Sequence, residues 1–165
     1  MRQFRWLSTL VIVCGLVGTA GAQEEKVPLD KLPKPVSGAV KKRFPTAEPL
    51  KASKETEDGK TVFEVTIKDK GHNIDVTVTP EGKITGFEKT IDGKDVPKAA
   101  ADALKAKYPG ATYELYEEVY HVKDGKESLN YYETVLVAKD KKKWEVCVTA
   151  DGKITKEEDV SKEKP

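Results

Sequence analysis

Cysteine, histidine and methionine are scarce in this 165-residue chain: there are two Cys, two His and one Met. A zinc centre draws three or four His, Cys or carboxylate ligands at recognisable spacing, and the isolated His72 and His121 offer no such set. No Asp-x-Asp-x-Asp-Gly loop with a distal Glu is present, which excludes an EF-hand. Ser37, Ser53, Ser128 and Ser161 lack the glycine context of a nucleophile elbow, and no Gly-rich phosphate loop occurs. An excess of charge of one sign is also missing, with 29 basic against 28 acidic side chains. A nucleic-acid binder or a polybasic membrane-surface protein needs a gathered surplus of Lys and Arg, so both classes are disfavoured. Long hydrophobic runs are confined to the N-terminus. The chain reads as a non-enzyme with no cofactor and no metal.

That N-terminal run has a specific form. Arg2 and Arg5 precede an apolar stretch from Trp6 to Val17, and small residues lead to Ala20-Gly21-Ala22 before Gln23-Glu24-Glu25. This is the pattern of a secretory signal peptide cut after Ala22. The stretch is shorter than the roughly 20 residues of a spanning helix, and Val13 before Cys14 argues against lipoprotein processing. Cleavage removes two basic and no acidic residues, which turns the net charge of +1 into −1. It also removes Cys14, leaving Cys147 with no internal disulfide partner. The expectation is a periplasmic or secreted protein without a membrane anchor.

What is present is a repeat. Val96-Pro97-Lys98 through Tyr108-Pro109-Gly110-Ala111 echoes Leu32-Pro33-Lys34 through Phe44-Pro45-Thr46-Ala47. Glu145-Val-Cys-Val-Thr-Ala-Asp-Gly-Lys-Ile-Thr155 echoes Asp75-Val-Thr-Val-Thr-Pro-Glu-Gly-Lys-Ile-Thr85. One unit written twice suggests five segments: signal peptide 1–22, linker 23–31, a first repeat 32–91, a second repeat 92–158 and a disordered tail 159–165.

Each repeat opens with an amphipathic helix. Leu32, Val36, Val40 and Phe44, and then Val96, Ala100, Leu104 and Tyr108, form one apolar stripe per helix. Asp30 and Asp95 stand where an N-cap would fall, and Pro45 and Pro109 end the helical geometry. Strand-like segments follow, separated by acidic-Gly-Lys turns such as Glu81-Gly82-Lys83 and Asp151-Gly152-Lys153. Phe63, Val65 and Ile67 alternate with polar residues, as do Ile74, Val76 and Val78, which implies an antiparallel sheet covered on one face. The expected fold class is α+β: a tandem repeat of a helix followed by a four-stranded antiparallel sheet, with the helices packed on one sheet face.

The helix, the aromatic-Pro-x-Ala motif and the final strand after acidic-Gly-Lys-Ile, each present twice, resemble the PepSY-like group. The fold of that group is related to beta-lactamase inhibitory protein (BLIP). The motifs are Phe44-Pro45-Thr46-Ala47 with Glu81-Gly82-Lys83-Ile84, and Tyr108-Pro109-Gly110-Ala111 with Asp151-Gly152-Lys153-Ile154. The resemblance implies an exported bacterial protein that inhibits or regulates a peptidase or other hydrolase. The chain lacks the disulfides of that inhibitor, and a shared fold does not transfer a target.

The two copies differ on the face away from the helix. In the first copy that face is polar, whereas matching Phe63-Glu64 with Tyr132-Glu133 leaves Tyr131, Glu133, Val135 and Val137 on it in the second. Tyr116 and Tyr120 from the preceding strand extend the set. These six residues form a candidate surface for a protein partner, since aromatics on a rigid sheet give contact area at low entropic cost. The same face could instead be covered by the first copy, by the Glu157–Pro165 tail or by a second subunit. A structural or self-associating envelope protein, a homodimer, and a ligand or ion sensor are therefore alternatives. Glu114, Glu117, Glu118 and Glu133 read as solvated strand charges, and Cys147 as a small outward strand residue.

Overall fold

The computed structural model describes residues 25–57 and 59–162, and the segment 1–22 expected as a signal peptide lies outside them. Nine strands and two helices follow one another in the order β1 (Glu25–Lys26), α1 (Lys34–Arg43), β2 (Glu48–Glu57), β3 (Lys60–Asp69), β4 (His72–Val78) and β5 (Ile84–Thr90), then α2 (Lys98–Lys107), β6 (Thr112–Lys123), β7 (Lys126–Val137), β8 (Lys143–Val148) and β9 (Ile154–Asp159).

The apolar stripes do what their spacing implies. Val36 and Val40 of α1 and Phe44 at its C-cap pack on Val65, Ile67, Val76 and Val78 in one core cluster. Ala100 and Leu104 of α2 pack on Leu136, Val146 and Val148 in a second. Both helices lie on the same sheet face, because each cluster takes the alternate strand residues that point one way. Each helix ends where proline follows, and the C-cap N–H groups of Phe44 and Tyr108 still reach Val40 and Leu104 carbonyls at 2.8 Å. Asp30 and Asp95 are not the caps. They sit in short 3-10 turns, Leu29–Lys31 and Gly93–Asp95, while Pro33 and Pro97 occupy the N-cap positions without a side-chain bond.

The expected tandem of two four-stranded sheets is overturned. All nine strands form one antiparallel sheet in sequential order, β1 through β9. Strands β5 and β6, assigned to different repeats, pair over five positions from Gly86↔His121 to Thr90↔Glu117. Two separate sheets would have left two facing edges with unpaired N–H and C=O groups, and pairing them removes both. Residues 23–31, expected as a linker, contain β1, which adds to β2 through Glu25↔Lys54 and Lys26↔Ser53. Beyond β9, Val160 is 4% exposed, and its N–H donates to the Lys143 carbonyl at 2.9 Å. The remaining edges are blunt: β1 has two residues and β9 carries Lys156, Glu157, Glu158 and Asp159, features that discourage edge-to-edge association.

Candidate functional site

The sheet face opposite the helices carries one acidic residue per strand near mid-sheet. They are Glu55 on β2, Glu64 on β3, Asp75 on β4, Glu88 on β5, Glu117 on β6, Glu133 on β7 and Glu145 on β8. Each is less than 9% exposed. Carboxylates are almost never that buried on an open sheet face, and both helices lie on the other side. The burial follows from curvature. Strands β5 and β7 are two apart, about 9.5 Å in a flat sheet, yet oxygens of Glu88, Glu117 and Glu133 all lie within 4.8 Å of one another. Glutamate side chains can lean a few ångströms sideways, but their convergence together with burial below 9% on a face that neither helix covers marks that face as concave, a trough with an acidic floor.

Register places like charges directly across from each other. Asp75 pairs with Glu88, and Glu117 with Glu133, an arrangement that destabilises a sheet when both members are ionised. Local donors relieve part of this. Thr66 Oγ1 donates to Asp75 Oδ1, Ser53 Oγ to Glu55 Oε1 at 2.9 Å and Thr90 Oγ1 to Glu117 Oε1 at 3.4 Å. At one end Lys156 Nζ meets Glu145 at 3.1 Å and Glu158 at 2.9 Å. Protons supply the rest of the relief. Burial, then the charges of Glu133 and Asp75, push the Glu117 carboxyl up to about 8. Burial, followed by Glu133, Glu117, Glu64 and Asp75, holds Glu88 well above the usual carboxylate range. Asp75 is raised by burial against the opposing pull of Thr66 and Lys51.

The six residues expected to form one surface divide between the two faces. Tyr131, Glu133 and Val135 lie in the trough, Glu133 at 2% and Val135 at 5% exposure. Their neighbours Tyr132 and Leu136 point to α2, and Val137, partly buried at the strand end, follows the same alternation. Tyr116 and Tyr120 lie on the helix side instead. Tyr120 stacks on Phe87 with ring centroids 4.6 Å apart, and Tyr116 stacks on Tyr113 at 5.4 Å, each against a core cluster. A register shift between Val119 and Tyr120 complicates any face assignment by counting along β6.

The four glutamates read as solvated charges also divide. Glu114 pairs with Lys143 at 3.0 Å, and Glu118 accepts from Tyr120 Oη at 3.1 Å. Glu117 and Glu133 are 2% exposed, because the face they occupy is concave. Cys147 points outward as expected but is 2% exposed, and its Sγ donates to Glu133 Oε2 at 3.5 Å. Burial and Glu133 push its thiol far above the ordinary range. The missed residues Glu64, Asp75, Glu88 and Glu145 had a signal in the sequence: a single acidic residue recurs at mid-strand on the non-core phase of successive strands.

On the helix side, an open cleft of about 630 Å³ is bordered by Arg43, Phe44, His72, Phe87, Tyr120 and Glu127. Arg43 closes it with a two-pronged bond to Glu127, Nε to Oε1 at 2.5 Å and an amino group to Oε2 at 2.8 Å. His72 Nδ1 donates to the Thr90 carbonyl at 2.8 Å. The first contact ties α1 to β7 of the other half, and the second ties the start of β4 to the end of β5 within the same half.

No family model matches the chain, and no curated protein is similar to it. Solved structures are. A DUF2874 family protein from Bacteroides uniformis superposes with a TM-score of 0.65 at 18% identity, over 80% of this chain and 92% of that one. A BLIP-like protein from Bacteroides fragilis gives 0.59 at 14% identity, over 79% and 88%. The fold is BLIP-like. A candidate periplasmic protein from Bacteroides eggerthii shares this BLIP-like architecture, with a TM-score of 0.64 at 16% identity over 78% and 89% of the two chains.

Proposed function

We propose that this chain is an exported, non-enzymatic BLIP-like binding module of the PepSY-like type, whose concave sheet face receives a protein partner such as an extracytoplasmic peptidase or other hydrolase. The observation that carries this reading is the trough. It is a concave face on the side away from both helices, with Tyr131 and Val135 beside an acidic floor. Charge complementarity selects a partner that presents basic side chains. The signal-like N-terminus and the likeness to a candidate periplasmic protein support export. The non-enzymatic reading rests on the chemistry of the face: its one thiol, Cys147, is held protonated, and a thiol in that state is not a nucleophile.

The test is binding with a defined salt dependence. The purified protein, immobilised, should retain an envelope peptidase or hydrolase and lower its activity on a peptide substrate. Retention should weaken as ionic strength rises, since rim charges on both partners are screened. Tyr131→Ala should weaken it about tenfold or more, the loss typical of an aromatic anchor. Lys98→Ala, on the exposed side of α2, should leave it unchanged. Retention that ignores both salt and Tyr131→Ala would place the interface elsewhere.

A further inference from the structure

Three carboxylates at the centre of the trough converge on one point. Glu88, Glu117 and Glu133 reach it from β5, β6 and β7, with one oxygen of each within 4.8 Å of the others. Acidic residues crowd together on many sheets without binding anything, so proximity alone decides little. Glu88 supplies the second observation. It is 7% exposed and directed into this cluster, yet among the described residues it accepts no hydrogen bond and meets no Lys, Arg or His. A carboxylate buried in this way is stable only when it is protonated or given a cation.

The donor set selects the cation. Three carboxylate oxygens, with no imidazole beside them, suit a hard divalent ion rather than zinc or copper. A point between oxygens no more than 4.8 Å apart lies at most about 2.8 Å from each, which admits the roughly 2.3–2.6 Å of calcium–oxygen contacts, and calcium accepts the irregular geometry of three side chains on a sheet where magnesium demands a near-ideal octahedron and keeps its waters. Water from the open side can fill the remaining positions. We infer that Glu88, Glu117 and Glu133 form a binding site for one calcium ion, entered from the concave face of the sheet. The site needs no protein partner, so it stands or falls separately from the docking reading.

The experiment is a calorimetric titration of the purified protein with calcium chloride, alongside magnesium chloride and sodium chloride at matched ionic strength, with thermal midpoints read in each. The expected result is one calcium per chain, with a Kd on the order of 10⁻⁴ to 10⁻³ M as in extracellular modules, and a midpoint that rises with calcium more than with either other salt. Glu88→Gln and Glu117→Gln should each weaken calcium binding about tenfold or more. Without calcium their midpoints should match or exceed that of the parent, which shows that the fold survives. Glu114→Gln, whose carboxylate pairs with Lys143 and is not one of the three convergent groups, should bind as the parent does. An equal response to all three salts, an absence of saturable calcium binding about tenfold above that range, or undiminished binding by Glu88→Gln would each overturn the site.

Discussion

Glu117 shows how a residue that looks ordinary in sequence becomes a liability in the fold. Its carboxyl is pushed up to about 8 by burial and by the charges of Glu133, Asp75 and Glu145, against a weaker pull from the Thr90 hydroxyl. In the unfolded chain it titrates near the ordinary glutamate value, so the folded state binds the proton more tightly. The resulting stabilisation is fully present below the unfolded value and is lost as pH rises towards about 8. Glu88 and Asp75 are shifted in the same direction. Carboxylates shifted the other way, Asp102, Asp151 and Asp159 among them, are surface groups whose effect falls at lower pH. The calcium-free thermal midpoint should therefore fall between pH about 5 and about 8. Glu117→Gln should flatten that fall and raise the midpoint at the alkaline end. A midpoint that climbs across this window in the parent protein would contradict the assignment of buried, proton-holding carboxylates.

At the scale of elements, the acidic-Gly-Lys turns do more than reverse the chain. Gly82 has a φ of +86°, and a Cβ there would stand 2.6 Å from the Pro35 carbonyl oxygen; Gly152 has a φ of +90°, with Ala99 oxygen 2.7 Å away. The β4–β5 and β8–β9 turns thus press on the first turns of α1 and α2, which fixes each helix along the sheet. Gly152→Ala should cost at least about 2 kcal/mol, combining left-handed strain with a backbone clash. Gly125→Ala, at φ +74° with nothing within 4 Å, should cost only about 1–2 kcal/mol, the strain alone. Urea midpoints of the two variants decide it, and equal losses would remove the contact as an explanation. These turns and both helix stripes were legible in the sequence because their causes are local: a four-residue apolar spacing, a proline that ends a helix, a glycine that turns a hairpin. The β5–β6 pairing was not, since no residue in Ile84–Thr90 encodes which distant strand will satisfy its free edge. Nor was the trough, because alternation of polar and apolar residues specifies two faces but not their curvature. Glu64 and Glu133 would read the same way on a flat, wetted sheet.

Over the whole molecule, the single sheet makes the two halves one body. Each half, at about 65 residues, would be marginal alone, and its contacts with the other are extensive. Five β5–β6 register pairs, the Phe87–Tyr120 stack, the Arg43–Glu127 bond and the Ile91 N–H to the Tyr116 carbonyl at 2.9 Å all cross the junction. The two core clusters are nevertheless separate, one under α1 and the other under α2, so a structure of this kind could melt in two steps if the junction were weak. Continuity of the strand ladder argues for one step, because the loss of either half exposes a long central strand of the other. Ile67→Ala in the first cluster and Leu104→Ala in the second each remove a side chain that is 0–1% exposed, and each should cost about 2–5 kcal/mol. Calorimetry should then give one transition in every case, with calorimetric and van't Hoff enthalpies equal, and either variant should shift it as a whole. A second transition that moves with only one of the two substitutions would show that the halves unfold independently and that the β5–β6 ladder does not couple them.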